Sequence, residues 1–68
     1  MEKVKISTEY IKLEQLMKFA GMVGSGSDAK MLIGDGMVKV NGLVELQRGK
    51  KLRTGDMVEF EEKKIVIE

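Results

Sequence analysis

SGSDAKMLIGDGMVKVNG, residues 25–42, packs four local signals into one stretch. Ser25 and Asp28 have the S-x-x-[DE] form of a helix capping box, in which a Ser hydroxyl satisfies a free N–H of the first turn. Ala29, Leu32 and Ile33 follow at i, i+3 and i+4, the spacing of one helical face. Asp35-Gly36 ends that helix, because glycine reaches the left-handed backbone that a helix stop often needs. Met37, Val38 and Val40 enter a strand, and Asn41-Gly42 turns it back as a hairpin. Lys30 and Lys39 flank the helix-to-strand corner.

Upstream, Met1–Ser7 alternates, with Val4 and Ile6 between Lys3, Lys5 and Ser7. That period of two predicts a half-buried strand at a sheet edge, where lysines discourage unwanted pairing. Thr8-Glu9-Tyr10 is a connector, and Tyr10 and Ile11 are expected to tuck under the first helix. Leu13, Leu16, Met17 and Ala20 form a clean helical stripe, which Phe19 is expected to widen. Glu14 and Lys18 are expected to pair at i, i+4 on the wet side. Gly21 stops this helix, and Gly24-Ser25-Gly26 leads directly into the second, so the two helices must pack as a corner.

Downstream the chain reads as all-β. Leu43–Leu46 is a short return strand, Gln47–Thr54 a basic loop and Thr54-Gly55-Asp56 a turn. Met57–Glu61 is a strand with Val58 and Phe60 on one face. Glu62-Lys63 is the expected turn into a last strand, Ile65–Ile67. No repeat, proline or low-complexity segment marks a second domain, so residues 1–68 are read as one.

A 68-residue chain buries only about 60% of the surface that its unfolded form exposes. Its expected stability is therefore small, about 3–5 kcal/mol. The apolar share of 43% is enough for a core and argues against disorder. With neither Cys nor His, the chain has no disulfide framework, no usual zinc ligands and no His general base. No apolar run reaches the roughly 18 residues of a membrane helix, and MEKVKIS lacks a signal-peptide core. The expectation is a cytoplasmic protein without cofactor or membrane partner. The net charge of +1 is unevenly spread: residues 1–38 are neutral, residues 39–55 carry +4 and residues 56–68 carry −3. A basic middle beside an acidic end implies a two-sided domain, one side suited to a polyanion.

Each candidate site has a plainer explanation beside it. Lys39, Arg48, Lys50, Lys51 and Arg53 can neutralise phosphates, or can be a solvated loop. The loop Gly24–Ser27 opens a helix N-terminus, a natural anion site, but is fully explained as capping and matches no nucleotide-binding fingerprint. Asp28 and Asp35 are explained as cap and stop rather than as an acid–base pair. Of Tyr10, Phe19 and Phe60, at least two are expected in the core, which leaves no aromatic platform for stacking bases.

In chain order, these residues form a combination of some specificity. An amphipathic helix ends in Ala20-Gly21; Ser25, Ala29-Lys30, Leu32-Ile33 and Gly36 follow; then come Val38-Lys39-Val40-Asn41-Gly42, Lys51-Leu52, Gly55-Asp56 and Val58-Glu59. From about Lys12 to Phe60 the chain resembles the S4 (S-four) RNA-binding domain, the family named after ribosomal small-subunit protein four. Within it the likeness is to the small stand-alone bacterial subgroup called YaaA-type. The resemblance implies an α+β fold, a two-helix corner packed on a small, mostly antiparallel sheet, known as the alpha-L RNA-binding motif. It implies structured RNA, ribosomal or transfer RNA, as the partner. It places RNA contacts on Lys12, Ser25, Lys30, Lys39, Asn41, Arg48, Lys50 and Lys51, and Lys18 and Arg53 complete the basic set. Gly26 stands where many members carry Arg, which removes one bidentate phosphate contact.

The expected function is thus a non-enzymatic RNA-binding protein, monomeric, with no small-molecule substrate, serving ribosome assembly or translational quality control. A protein–protein adaptor could use the same basic face. A sulfur carrier of β-grasp fold is a third class, but those carriers end in Gly-Gly where this sequence reads Ile65-Val66-Ile67-Glu68, and two consecutive helices fit that fold poorly.

Overall fold

Both helices stop for the same physical reason. In the computed structural model, which describes residues 1–68, helix α1 spans Leu13–Phe19 and helix α2 spans Gly26–Gly34. Past α1, the N–H of Gly21 donates to the Lys18 carbonyl at 3.1 Å and that of Met22 to Met17 at 2.9 Å. Past α2, Gly36 donates to Ile33 and Met37 to Leu32, both at 3.1 Å. These are paired Schellman closures, and they need a left-handed residue, supplied by Gly21 at φ +72° and Gly36 at φ +77°. At its start, α2 is capped by Ser25, whose hydroxyl accepts from the Asp28 N–H at 3.2 Å.

Seven short strands surround this corner. They are β1 (Glu2–Val4), β2 (Ile11–Lys12), β3 (Val38–Val40), β4 (Leu43–Val44), β5 (Lys51–Leu52), β6 (Met57–Phe60) and β7 (Lys63–Ile67). Five form a sheet in the order β1-β7-β6-β3-β4, antiparallel except for the parallel β1–β7 pair. The other two, β2 and β5, make a separate antiparallel ladder. The expected α+β architecture is the one found. The N-terminal strand does lie at a sheet edge.

One face of the large sheet carries the core. Val38, Val40, Val58, Phe60, Ile65, Ile67 and Val4 are buried against Leu13, Leu16 and Met17 of α1 and Ala29 and Ile33 of α2. Along β3, β6 and β7 the alternate positions Lys39, Glu59 and Lys64 stand opposite one another in a row on the other face. A slip of one residue would exchange these two sets, so the register is fixed by burial. The Asn41-Gly42 hairpin has positive φ at both residues, +52° and +85°. This is the type I′ geometry that matches strand twist.

Four local expectations are corrected. The last hairpin turns at Glu61-Glu62, not Glu62-Lys63, because Phe60 pairs with Lys63. That register lets Ile67 bond with both Gly55 and Asp56 at 2.8 and 3.0 Å, which outweighs local turn chemistry. It holds Glu61 at φ +57°, a strain of about 1 kcal/mol for a residue other than Gly or Asn. Phe19 does not widen the buried stripe; it is 70% exposed. At about 100° per residue it lies roughly 110° around the helix from the stripe's centre. Glu14 and Lys18 form no ion pair; the ion pairs present are Lys3–Glu68 and Arg53–Glu9. Finally, the basic loop contains a two-residue strand, β5, and Ile11 and Lys12, between the connector and the first helix, form the strand that pairs with it, β2.

Candidate nucleic-acid interface

Those two small strands bring like charges together. In the β2–β5 ladder, Ile11 pairs with Leu52 and Lys12 stands directly opposite Lys51. Leu52 is fully buried, whereas both lysines are exposed and neither meets a carboxylate in an ion pair. Like charges at opposed positions destabilise a ladder. The arrangement is enforced by what lies around it. The first two N–H groups of α1, on Leu13 and Glu14, donate to the carbonyls of Lys50 at 2.9 Å and Arg48 at 3.0 Å. The basic loop thus supplies the partners that a helix N-terminus otherwise lacks. Its backbone is fixed to α1, and the Arg48 and Lys50 side chains remain exposed.

Tyr10 organises the next cations. The Lys51 Nζ lies 4.9 Å from its ring centroid and the Arg53 guanidinium carbon 5.9 Å, both within cation–π range. From Tyr10 an open groove of about 700 Å³ runs along α1 past Lys12, Gln15, Lys18 and Phe19. Gln15 is held in place by the Lys12 N–H, 3.2 Å from its side-chain oxygen. Lys18 reaches the start of α2: its Nζ lies 3.9 Å from where a Cβ on Gly26 would stand. A cation from α1 therefore lies beside the position where the resemblance led one to expect an Arg.

Three comparisons with known proteins bear on this face. The sequence model described as "S4 domain" matches residues 4–68. The chain belongs to the S4 domain family. It is 41% identical to the Bacillus subtilis protein named "Probable ribosome maturation protein RlbA" over 58 residues, 85% of this chain and 82% of that one. It is 39% identical to YbcJ of Escherichia coli over 51 residues, 75% and 73% of the two chains. The solution structure of YbcJ superposes with a TM-score of 0.75 at 31% identity, covering 98% of this chain and 86% of that one. That structure is described as revealing an αL motif involved in RNA-binding.

In this S4 domain, six of the ten expected contact residues gather about the start of α1 and its groove: Lys12, Lys18, Arg48, Lys50, Lys51 and Arg53. The other four lie elsewhere or are already engaged. Lys30 is exposed on α2, and Ser25 caps that helix. Lys39 is on the outer sheet face, opposite Glu59 and Val44. The basic loop makes its backbone bonds to α1 rather than to the strand that carries Lys39. Asn41 is a clamp: its amide nitrogen donates to Asp56 at 3.1 Å, and its amide oxygen accepts from the Met57 N–H at 3.0 Å.

Asp56 receives a further, shorter bond from the Arg53 N–H, 2.8 Å, across a turn in which Gly55 has φ +97°. That backbone donor is the main reason its carboxyl is held below the usual 3.8; partial burial opposes it, and the Asn41 amide and the Lys50 and Arg53 charges add to it. The residues that sequence reasoning missed at this face are Tyr10 and Phe19, both assigned to packing. Phe19 had a legible signal, its angular distance from the apolar stripe. Tyr10 had none, since only the β2–β5 ladder brings Lys51 and Arg53 to its ring.

Proposed function

We propose that this S4 domain is a non-enzymatic RNA-binding module that docks structured RNA, ribosomal RNA in particular, and serves ribosome maturation as a cytoplasmic monomer. The observation that carries this reading is the opposed Lys12–Lys51 pair. Two lysines without a carboxylate partner, placed side by side on a ladder that they weaken, make sense as half of an interaction whose other half is an anion. A phosphate backbone supplies such charge at regular spacing. Lys18, Arg48, Lys50 and Arg53 extend the cationic strip, and Lys30, Ser25, Lys39 and Asn41 are proposed as peripheral contacts. Docking is electrostatic, with the helix corner reading the shape of an RNA stem and its junction rather than a base sequence. The names and descriptions of RlbA and YbcJ support the same reading.

The ribosomal part of the proposal is tested by sedimentation of a bacterial lysate containing the tagged chain. At 50 mM salt the protein is expected to travel with ribosomal particles and to be released at 500 mM salt. A protein that stays at the top of the low-salt gradient overturns the ribosomal assignment.

A further inference from the structure

We infer that the groove between β2 and α1 is a seat for one unpaired base of the bound RNA, with Phe19 as its stacking surface. This inference rests on the RNA-binding reading. Three observations lead to it. Phe19 is 70% exposed, at the end of a helix whose other large apolar side chains, Leu13, Leu16 and Met17, are fully buried. Packing does not account for it. It shares a groove with Tyr10, and Lys12 and Lys18 line the same walls. At about 700 Å³ the groove is within the roughly 300–1,000 Å³ range of small-molecule sites.

An aromatic face in a groove that two lysines also line suits a nucleotide that has left its helix. The ring stacks on the base, which every base permits, and the ammonium groups meet the phosphates on either side. Glu9 also lines the groove, but its carboxylate is turned to Arg53 at 3.9 Å, so it is partly neutralised. The remaining exposed apolar side chains do not compete for this role. Met1, Met31, Met37, Leu43, Val44 and Leu46 are aliphatic, and the last four lie on and beside the β3–β4 hairpin. Phe60 is in the core. Tyr10 is the less available of the two groove rings, being half-buried and already under Lys51 and Arg53.

Fluorescence anisotropy with two RNA stem-loops tests this. One carries a single bulged adenosine; the other carries an abasic residue at the bulge, with every phosphate kept. The wild-type chain is expected to bind the adenosine form more tightly by roughly 5- to 150-fold, the range for one stacked base. Phe19→Ala is expected to bind both forms alike, at the affinity of the wild type for the abasic form, with its melting temperature unchanged. The chain contains no Trp, so Phe19→Trp provides a single fluorophore, expected to be quenched by the adenosine form and not by the abasic one. Equal wild-type affinity for the two stem-loops overturns the base seat and leaves RNA docking intact. Discrimination that survives Phe19→Ala also overturns it. Failure of the wild type to bind either stem-loop at 50 mM salt overturns the docking reading and the seat together.

Discussion

Replacing Lys12, Lys51 and Arg53 together by Ala is expected to weaken RNA binding roughly 50- to 150-fold at 0.15 M salt while costing the fold only about 1–2 kcal/mol. Each phosphate contact contributes about 0.7–0.9 to the slope of log K against log salt, and at 0.15 M three such contacts amount to about two orders of magnitude. The effect on stability is small and has contributions of both signs. Lys12 and Lys51 repel each other across the β2–β5 ladder, so removing them relieves a cost on the order of a few tenths of a kcal/mol. Lys51 and Arg53 give up their cation–π contacts with Tyr10, and Arg53 an exposed ion pair 3.9 Å long, together a loss of about 1–2 kcal/mol. Binding by anisotropy and a thermal melt on the same samples check both halves. Unchanged affinity would remove the electrostatic basis of the proposal, and a collapsed melt would show that the strip is structural.

Asn41→Ala is expected to cost about 2–3 kcal/mol, most of the 3–5 kcal/mol or so available to a domain of this size. Three contributions combine. Alanine at φ +52° is strained by about 1–2 kcal/mol. The amide bonds to Asp56 and Met57 are each worth about 0.5–1.5 kcal/mol, towards the lower end at an exposed site. Asn41→Gly keeps the left-handed turn and loses only the bonds, so its cost is expected to be about half. Urea midpoints measure both.

The pH dependence follows from Asp56. Its folded carboxyl titrates below the unfolded value of 3.8, so its contribution is fully present above about pH 4. That contribution is lost as the pH falls through the lower, folded value. The stability gap between wild type and Asp56→Ala is therefore expected to be constant from neutral pH down to about pH 4 and to shrink below it. A gap that widens on acidification contradicts the assignment.

The helix corner was legible in the sequence because its signals are local. Ser25, Gly21, Gly36 and Asn41-Gly42 each determine a few backbone angles, and the stripe Leu13, Leu16, Met17 selects one face. What escaped reading depends on contacts distant in sequence. The strands β2 and β5 have two residues each and no period to detect, and Ile11 meets Leu52 only in the folded chain. Their pairing decides where the basic loop goes, which is onto α1 and not to the strand that carries Lys39. The last hairpin shows the same rule: Glu61 adopts an unfavourable angle because Ile67 bonds to Gly55 and Asp56. Asn41 was read for its turn and, through the resemblance, for RNA. Its bonds to Asp56 and Met57, fifteen and sixteen residues along the chain, could not be seen before folding. The candidate site was thus legible as a list of cations, and illegible as a surface with two aromatic rings in it.

A salt titration of binding to a ribosomal RNA stem-loop tests the central claim most directly. With six cations on phosphates, Lys12, Lys18, Arg48, Lys50, Lys51 and Arg53, log K is expected to fall with log salt at a slope of about −4 to −5.5, and the Lys12, Lys51, Arg53 triple variant is expected to lose about 2 to 2.7 of that slope. A slope near zero for the wild type, or one that the triple substitution leaves unchanged, would contradict an RNA-binding strip at the start of α1.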